Sequence, residues 1–473
     1  MAKYDTRVQK LKYDILKEVA KSAFEGTMLD DVDNVSKKIF PDQKEGTAAG
    51  LYLNREIAKK RVRIALGGNL HIKNSIEVVP IACHECPIGG YEVTNACQGC
   101  LAHRCIDSCK FGAINIDASG KASISKDKCK ECGLCSKNCP YGAIIHLVRP
   151  CKSACKVNAL NIDEYEVAEI DNAKCISCGA CCVACPFGAI IDKSCLVNSI
   201  EMIQRSDNNK KYKVYAIVAP AIASQFKEYG IGKIKSAIKK LGFYDMVETA
   251  LGADIVAIED AKELIEKGFV TSSCCPAFVK YIKVNHPELV QHISTSLSPM
   301  AALAKHMKEK DPSCKIVFIG PCTAKKQEIK LDSVKTYVDS VMTFEELQAM
   351  IDSRDIDLNT IEESPVNDAT YYGRIFARSG GVTDAVAQAV KELGSNMEVK
   401  PEVCNGIEAC KLALLKKSKG ILDANFIEGM VCDGGCIGGA GCFTHGRQDR
   451  TEIENYGKSS NIADIKTSIK NIS

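Results

Sequence analysis

"GFVTSSCCPAFVKYIKVNHPEL", from Gly268 to Leu289, opens on a short apolar β-branched run, crosses a small-residue loop and continues as a helical segment. Two other stretches share that plan. "KYKVYAIVAPAI" (Lys211 to Ile222) and "SCKIVFIGPC" (Ser313 to Cys322) are apolar runs that stop at Pro or Gly-Pro. Alternating units of this kind argue for α/β layers with mostly parallel strands. Ligands in such folds sit outside the carboxyl ends of the strands, which is where the cysteines of these loops fall.

The loop of the opening stretch holds Cys274 and Cys275 side by side. Disulfide geometry wants the two Cα atoms well apart, so adjacent cysteines do not readily bond to each other. They also cannot easily share one metal ion, so different tasks are expected of them. Two further motifs follow β-runs: "GPCTAKKQE" with Cys322, and "EGMVCDGGCIGGAG" with Cys432 and Cys436. Four soft thiolates suit an iron–sulfur cubane. Gly434, Gly435, Gly438 and Gly439 would permit close backbone approach to a bulky cofactor. A structural zinc site rarely needs such long separations between its ligands.

Of the 27 cysteines, 18 lie between Cys83 and Cys195. Clustered cysteines in a long chain point to metal rather than to a disulfide framework. "CKECGLCSKNCPYGAI" from Cys129 and "CISCGACCVACPFGAI" from Cys175 both read CxxCxxCxxxCP. This is the bacterial ferredoxin run, in which three thiolates bind one [4Fe–4S] cluster and the fourth reaches across to another. "CQGCLAHRCIDSCKFGAINI" (Cys97, Cys100, Cys105, Cys109) repeats the unit with a longer spacer, and Lys110 replaces its proline. "CKSACKVNALNI" (Cys151, Cys155) is only a tail, whose missing front could be Cys83 and Cys86.

The joins from Cys109 to Cys129 and from Cys155 to Cys175 are both 20 residues, against 36 from Cys139 to Cys175. Short joins mark the partners, so four cubanes with crossed ligation are favoured. The sets are Cys97, Cys100, Cys105 with Cys139; Cys129, Cys132, Cys135 with Cys109; Cys175, Cys178, Cys181 with Cys155; and Cys83, Cys86, Cys151 with Cys185. This resembles the sixteen-iron ferredoxin subunits of respiratory oxidoreductases. The alternative has two clusters, on Cys129, Cys132, Cys135, Cys185 and on Cys175, Cys178, Cys181, Cys139. Cys182 and Cys195 are left as buried free thiols. About 270 residues follow the relay, so its electrons have a destination.

The whole chain has 473 residues and a formal charge of +3, enough for two or three domains with real cores. The near-neutral balance argues against a nucleic-acid binder. No apolar run approaches the ~18 residues of a membrane span. "MAKYDTRVQKLKYDILKEVA" reads as a charged amphipathic helix without the apolar core of a signal peptide, so a cytoplasmic location is expected. The expected domains are an N-terminal helical segment (1–80), an α+β ferredoxin-like electron-relay domain (81–205) and an α/β domain (206–473).

The Cys274–Cys275, Cys322 and Cys432–Cys436 motifs resemble, in order and approximate spacing, the three signature motifs of [FeFe]-hydrogenases. The resemblance covers about Lys211 to Gly446, and the ferredoxin-like front matches the family's usual accessory domain. It implies an α/β catalytic domain of two lobes with the active site between them. It also implies an H-cluster: a [4Fe–4S] cubane joined to a two-iron unit that carries CO, cyanide and a bridging dithiolate. Cys275, Cys322, Cys432 and Cys436 would ligate the cubane, with Cys436 as the bridge. Cys274 would stay a free thiol that passes protons.

Lys325 would donate a hydrogen bond to a cyanide ligand, and Glu328 belongs to the same motif. Met430 would pack on the two-iron unit, and Ala219-Pro220 would supply backbone contacts. Asp260, Glu263 and Ser294 match the proton path, the first two lying on one helix face at a spacing of three. Two positions depart from the family pattern. Asp260 replaces a longer glutamate, a gap that a water could close, and Ala221 stands where a serine follows the Ala-Pro pair. Phe278, in place of a tryptophan, resembles the group B branch.

The reading implied is a monomeric hydrogenase that interconverts two protons and two electrons with H2. Its partners would be ferredoxin or a similar one-electron carrier, and hydrogenase maturation proteins. The rivals are homologous Fe–S assembly proteins, which keep the cubane cysteines without making H2, and H-cluster sensors. Cys274, Lys325 and Glu328 argue against the first rival, and the lack of an appended signalling domain against the second.

Overall fold

The computed structural model describes residues 4–27, 32–42, 48–87 and 89–472. Seven short parallel strands form two sheets. In the first, the strands Asp245–Glu248, Val214–Val218, Lys315–Ile319 and Ser340–Met342 lie side by side in that order. In the second the order is Val270–Thr271, Phe426–Met430, Pro401–Asn405. "VYAIV" and "KIVFI" are almost wholly buried, as expected of parallel strands covered on both faces.

The helix Thr249–Lys267 joins the two lobes. Ala250 and Leu251, in its first turn, belong to the core around the first sheet; Ala253, Ala257, Ala261 and Leu264 pack with Val270 and Phe426 of the second. Small residues let it lie close to its neighbours: a Cβ on Gly252 would stand 2.1 Å from the Pro299 carbonyl oxygen. The expected α/β fold of two lobes is the one observed.

The ferredoxin-like front is built from antiparallel pairs. Gly90–Val93 pairs with Leu147 back to Ile144, and Ile114–Ile116 forms a hairpin with Ala122–Ile124. Around this module lies a second. Ile76–Val78 pairs with Ile190–Asp192, and Leu160–Ile162 forms its hairpin with Ala168–Ile170. The first module is thus inserted into the second, between its strand at Ile76–Val78 and its short helix Pro150–Ala154.

The N-terminal helix Arg7–Glu25 starts at a Thr6/Gln9 capping box and stops at left-handed Gly26. It buries Ile15, Leu16, Val19 and Ala20 in the core of the first lobe. The helix Leu196–Arg205, which follows the relay, buries Leu196 and Ile200 in the same core. No helix among the described residues is long and apolar enough to cross a membrane.

Candidate active site and cluster relay

Ala219-Pro220, Pro321-Cys322 and Cys432 to Cys436 follow the carboxyl ends of Val214–Val218, Lys315–Ile319 and Phe426–Met430, and Cys274-Cys275 follows Val270–Thr271. All of these loops line one cavity between the lobes, together with Lys325 and Met430. The loop around Cys436 is closed by backbone contact. Gly435 has φ +92°, and a Cβ there would meet Ser379 N at 2.6 Å. A Cβ on Gly439 would meet the Pro321 carbonyl oxygen at 2.4 Å, and one on Gly438 the Asp433 carbonyl oxygen at 2.0 Å. The glycines therefore serve chain-to-chain approach, which draws the Cys322 and Cys436 loops together, as well as any approach to a ligand. Ser379 N–H donates to Gly434 O at 3.0 Å and Ile437 N–H to Ala377 O at 3.2 Å, fixing the loop against its neighbour.

The donor set fits a cubane. Burial, and then the neighbouring thiol of Cys275, pushes Cys322 up to about 11; burial and then Cys322 pushes Cys436 up to about 12. Cys432 is raised in the same way. Thiols crowded in a dry pocket resist ionisation until a positive iron core compensates them. Among the described residues no three His, Cys, Asp or Glu side chains close tightly enough on a single ion; a cubane holds its sulfurs farther apart.

Cys274 lines the same cavity, its thiol raised by burial and then by Cys275 and Cys436. Lys325 is buried. Its ammonium is ion-paired to Glu328 at 2.6 Å and donates to the Cys274 carbonyl oxygen at 3.3 Å. Burial alone would lower its pKa, yet Glu328 raises it, so the ammonium stays charged. Met430 is 2 % exposed and forms part of the wall. Phe278 is fully buried, and its ring fills the space a Cβ on Gly429 would need.

The structure brings Asp260, Ser294 and Glu263 together. Ser294 Oγ lies 2.5 Å from Asp260 Oδ1 and 3.0 Å from Glu263 Oε2. Burial pushes Asp260 up to about 7 despite the Ser294 hydrogen bond. Burial also raises Glu263, but the Lys267 ammonium and the Thr295 N–H at 2.9 Å outweigh it and hold the carboxylate low. Asp260 Oδ2 is buried without a hydrogen-bond partner, leaving a place for one more donor. Ala221 is fully buried at the start of a short helix.

The accessory cysteines group by the same geometry. The Ala113, Ala143, Ala159 and Ala189 N–H groups each point to the cysteine sulfur four residues back, at 3.2–3.4 Å. These sulfurs belong to Cys109, Cys139, Cys155 and Cys185. Burial, and after it the nearby thiols of Cys100 and Cys139, raises Cys105; burial, and after it Cys129 and Cys109, raises Cys135. Burial, and after it Cys181, Cys175 and Cys155, pushes Cys178 up to about 12. Cys83, Cys86, Cys151 and Cys185 line one small cavity. The Cys155, Cys175, Cys178 and Cys181 set lines another that extends to Cys432.

Three further contributors had no role assigned from the sequence, although Glu428 opens the motif that holds Cys432 and Cys436. Arg149, 5 % exposed, donates to Cys83 Sγ at 3.7 Å and to Glu166 O at 2.7 Å. Glu428 accepts from Gly380 N at 2.6 Å and Thr383 N at 2.8 Å, holding the loop that closes on Gly435. Ser296 lies 3.1 Å from Ser294 Oγ; the "STSLS" run was the available signal.

A parallel α/β domain whose strand-end loops gather four thiols, joined to two nested ferredoxin-like modules, defines an iron–sulfur redox protein with [4Fe–4S] clusters. Residues 212–440 match the family model of the iron-only hydrogenase large subunit, C-terminal domain; residues 96–143 match a 4Fe-4S dicluster domain and residues 167–190 a 4Fe-4S binding domain. The C-terminal part of the chain thus carries a domain of the iron-only hydrogenase large-subunit type, behind 4Fe-4S domains.

Among curated relatives, iron hydrogenase 1 of Clostridium pasteurianum is 27% identical over 51% of this chain and 52% of its own. The periplasmic [Fe] hydrogenase large subunit of Nitratidesulfovibrio vulgaris is 29% identical over 50% of this chain and 70% of its own. A probable cytosolic Fe-S cluster assembly factor of Aedes aegypti is 24% identical over 51% and 64%. The chain thus spans about half the length of the first of these relatives. A solved structure of the [FeFe]-hydrogenase HydA1 from Chlamydomonas reinhardtii shares the fold, with a TM-score of 0.50 at 19% identity, over 59% of this chain and 93% of that one.

Proposed function

We propose that this chain is a hydrogenase that interconverts two protons and two electrons with H2. The observation that carries this reading is the cavity in which five thiols, Cys274 among them, converge with Lys325, itself paired to Glu328. Cys275, Cys322, Cys432 and Cys436 would hold the cubane of an H-cluster, Cys436 as the bridge to the two-iron unit, which supplies the redox chemistry of dihydrogen. Lys325 offers its charged ammonium to an anionic ligand there, while Ala219, Pro220 and Met430 wall the pocket and exclude water. Cys274 carries the proton at its Sγ, and Asp260, Ser294 and Glu263 continue the route outward.

The sixteen accessory cysteines would hold four [4Fe–4S] clusters, which supply one-electron transfer to a ferredoxin or similar carrier. The remaining assignments are a cytoplasmic monomer loaded by maturation proteins, and, on Phe278, membership of group B.

The second reading, an Fe–S assembly factor, draws on relatives such as that of Aedes aegypti. A buried lysine paired with Glu328 beside a free thiol favours the hydrogenase, since an assembly role needs neither. Infrared spectroscopy after maturation separates the two. Terminal CO and cyanide bands are expected, and a fully iron-loaded protein without them would favour assembly.

A further inference from the structure

The described residues among 4–65 precede all three stretches matched by family models, yet they include contacts to both the relay and the catalytic lobes. Asp5 lies 2.8 Å from His445 Nδ1, and the same imidazole lies 3.2 Å from Gly439 O, in the Cys436 loop. One turn along, Gln9 Nε2 donates to Cys442 O at 3.3 Å. The next turn brings Lys12, whose Nζ pairs with Asp192 at 2.7 Å and Glu345 at 2.5 Å. Asp192 ends the last ferredoxin strand, and its other oxygen takes Lys326 Nζ at 2.8 Å. Lys326 also pairs with Glu346 at 3.0 Å. On the relay side, Arg61 of the helix Ala48–Ala65 donates to Phe187 O at 2.6 Å, two residues past Cys185.

Lys326, Glu345, Glu346 and Asp192 are all under 5 % exposed. Buried charges are tolerated only when every one of them is paired. Lys326 and Glu346 pair within the catalytic lobe, but Glu345 takes its cation from the N-terminal helix, and Asp192 of the ferredoxin strand takes one from that helix and one from the lobe. Lys12 and Asp192 share a cavity with Cys182, the residue after Cys181, so the network lies beside the cysteine set that faces Cys432.

We infer that the N-terminal segment is a clamp that fixes the spacing between the Cys155/Cys175/Cys178/Cys181 set and the Cys275/Cys322/Cys432/Cys436 set, with Lys12 as its positioning residue. The inference rests on the cluster assignment proposed above but not on dihydrogen turnover. The test uses the full chain reconstituted with iron and sulfide alone and fully reduced, so that both sets carry a paramagnetic cubane. The readout is the spin–spin interaction between them in electron paramagnetic resonance.

Wild-type protein and Lys12→Arg should show the interaction. Lys12→Gln should lose it while keeping its iron, and Lys12→Gln/Glu345→Gln, which removes the unmatched carboxylate, should regain it. An unchanged interaction in Lys12→Gln, or loss of the cubanes themselves in the single and double variants alike, would overturn the clamp. No interaction in reduced wild-type protein would instead remove the cluster assignment.

Discussion

Cys274 and Cys275 are covalent neighbours whose side chains meet different surroundings, and their variants should fail in different ways. Cys275→Ala removes one of four converging thiols and should lose or cripple the cubane, read as lost iron. Cys274→Ala should keep CO and cyanide bands yet turn over about 10²–10⁴-fold more slowly, the usual worth of a positioned proton-transfer group. Near-normal turnover would reduce Cys274 to packing.

Asp260 adds a pH dependence with a definite sign. Its folded pKa is about 7, raised by burial, so the folded protein keeps a proton that the unfolded chain releases near pH 4. Stability therefore falls as pH rises between those values, and above about pH 7 the protonated donor is lost as well. H2 evolution should decline as pH passes 7. Asp260→Asn should be slow and flat across that window, and a wild-type profile in that variant would rule the residue out of the route.

At the scale of elements, the loop that carries Cys432 and Cys436 depends on glycine where backbone meets backbone. Gly435→Ala puts a Cβ 2.6 Å from Ser379 N at φ +92°, a clash with main chain that no rotamer relieves. Gly434→Ala, at φ +82°, has its nearest neighbour at 3.5 Å on the flexible Ile437 side chain. Iron analysis should find the Cys436 cubane lost in Gly435→Ala and largely kept in Gly434→Ala; equal retention would contradict this account of the loop.

The place of that loop was legible in the sequence, because a β-run that stops at a cysteine motif predicts a strand-end site in a parallel sheet. The 20-residue joins marked which half-repeats go together, but the nesting of one module in the other comes from the structure, where Ile76–Val78 pairs with Ile190–Asp192. Strand order was not legible, since buried parallel strands such as "VYAIV" and "KIVFI" are interchangeable by pattern. The charge network was hidden for another reason. Lys12, Asp192, Lys326, Glu345 and Glu346 come from distant segments, and each reads locally as an ordinary solvated charge.

Across the whole molecule, the cavity of Cys155, Cys175, Cys178 and Cys181 shares Cys432 with the cavity between the lobes, and a smaller one holds Cys83, Cys86, Cys151 and Cys185. Four accessory cubanes and an H-cluster predict about 22 irons per chain. Two accessory cubanes would give about 14, and an analysis near that value on fully reconstituted protein would break the pairing of Cys83, Cys86 and Cys151 with Cys185. The central claim is that the cavity between the lobes makes H2. Its most direct test is the evolution of H2 from dithionite-reduced dye by the maturated full-length protein. Sustained turnover is predicted, and none from protein with full iron content would contradict it.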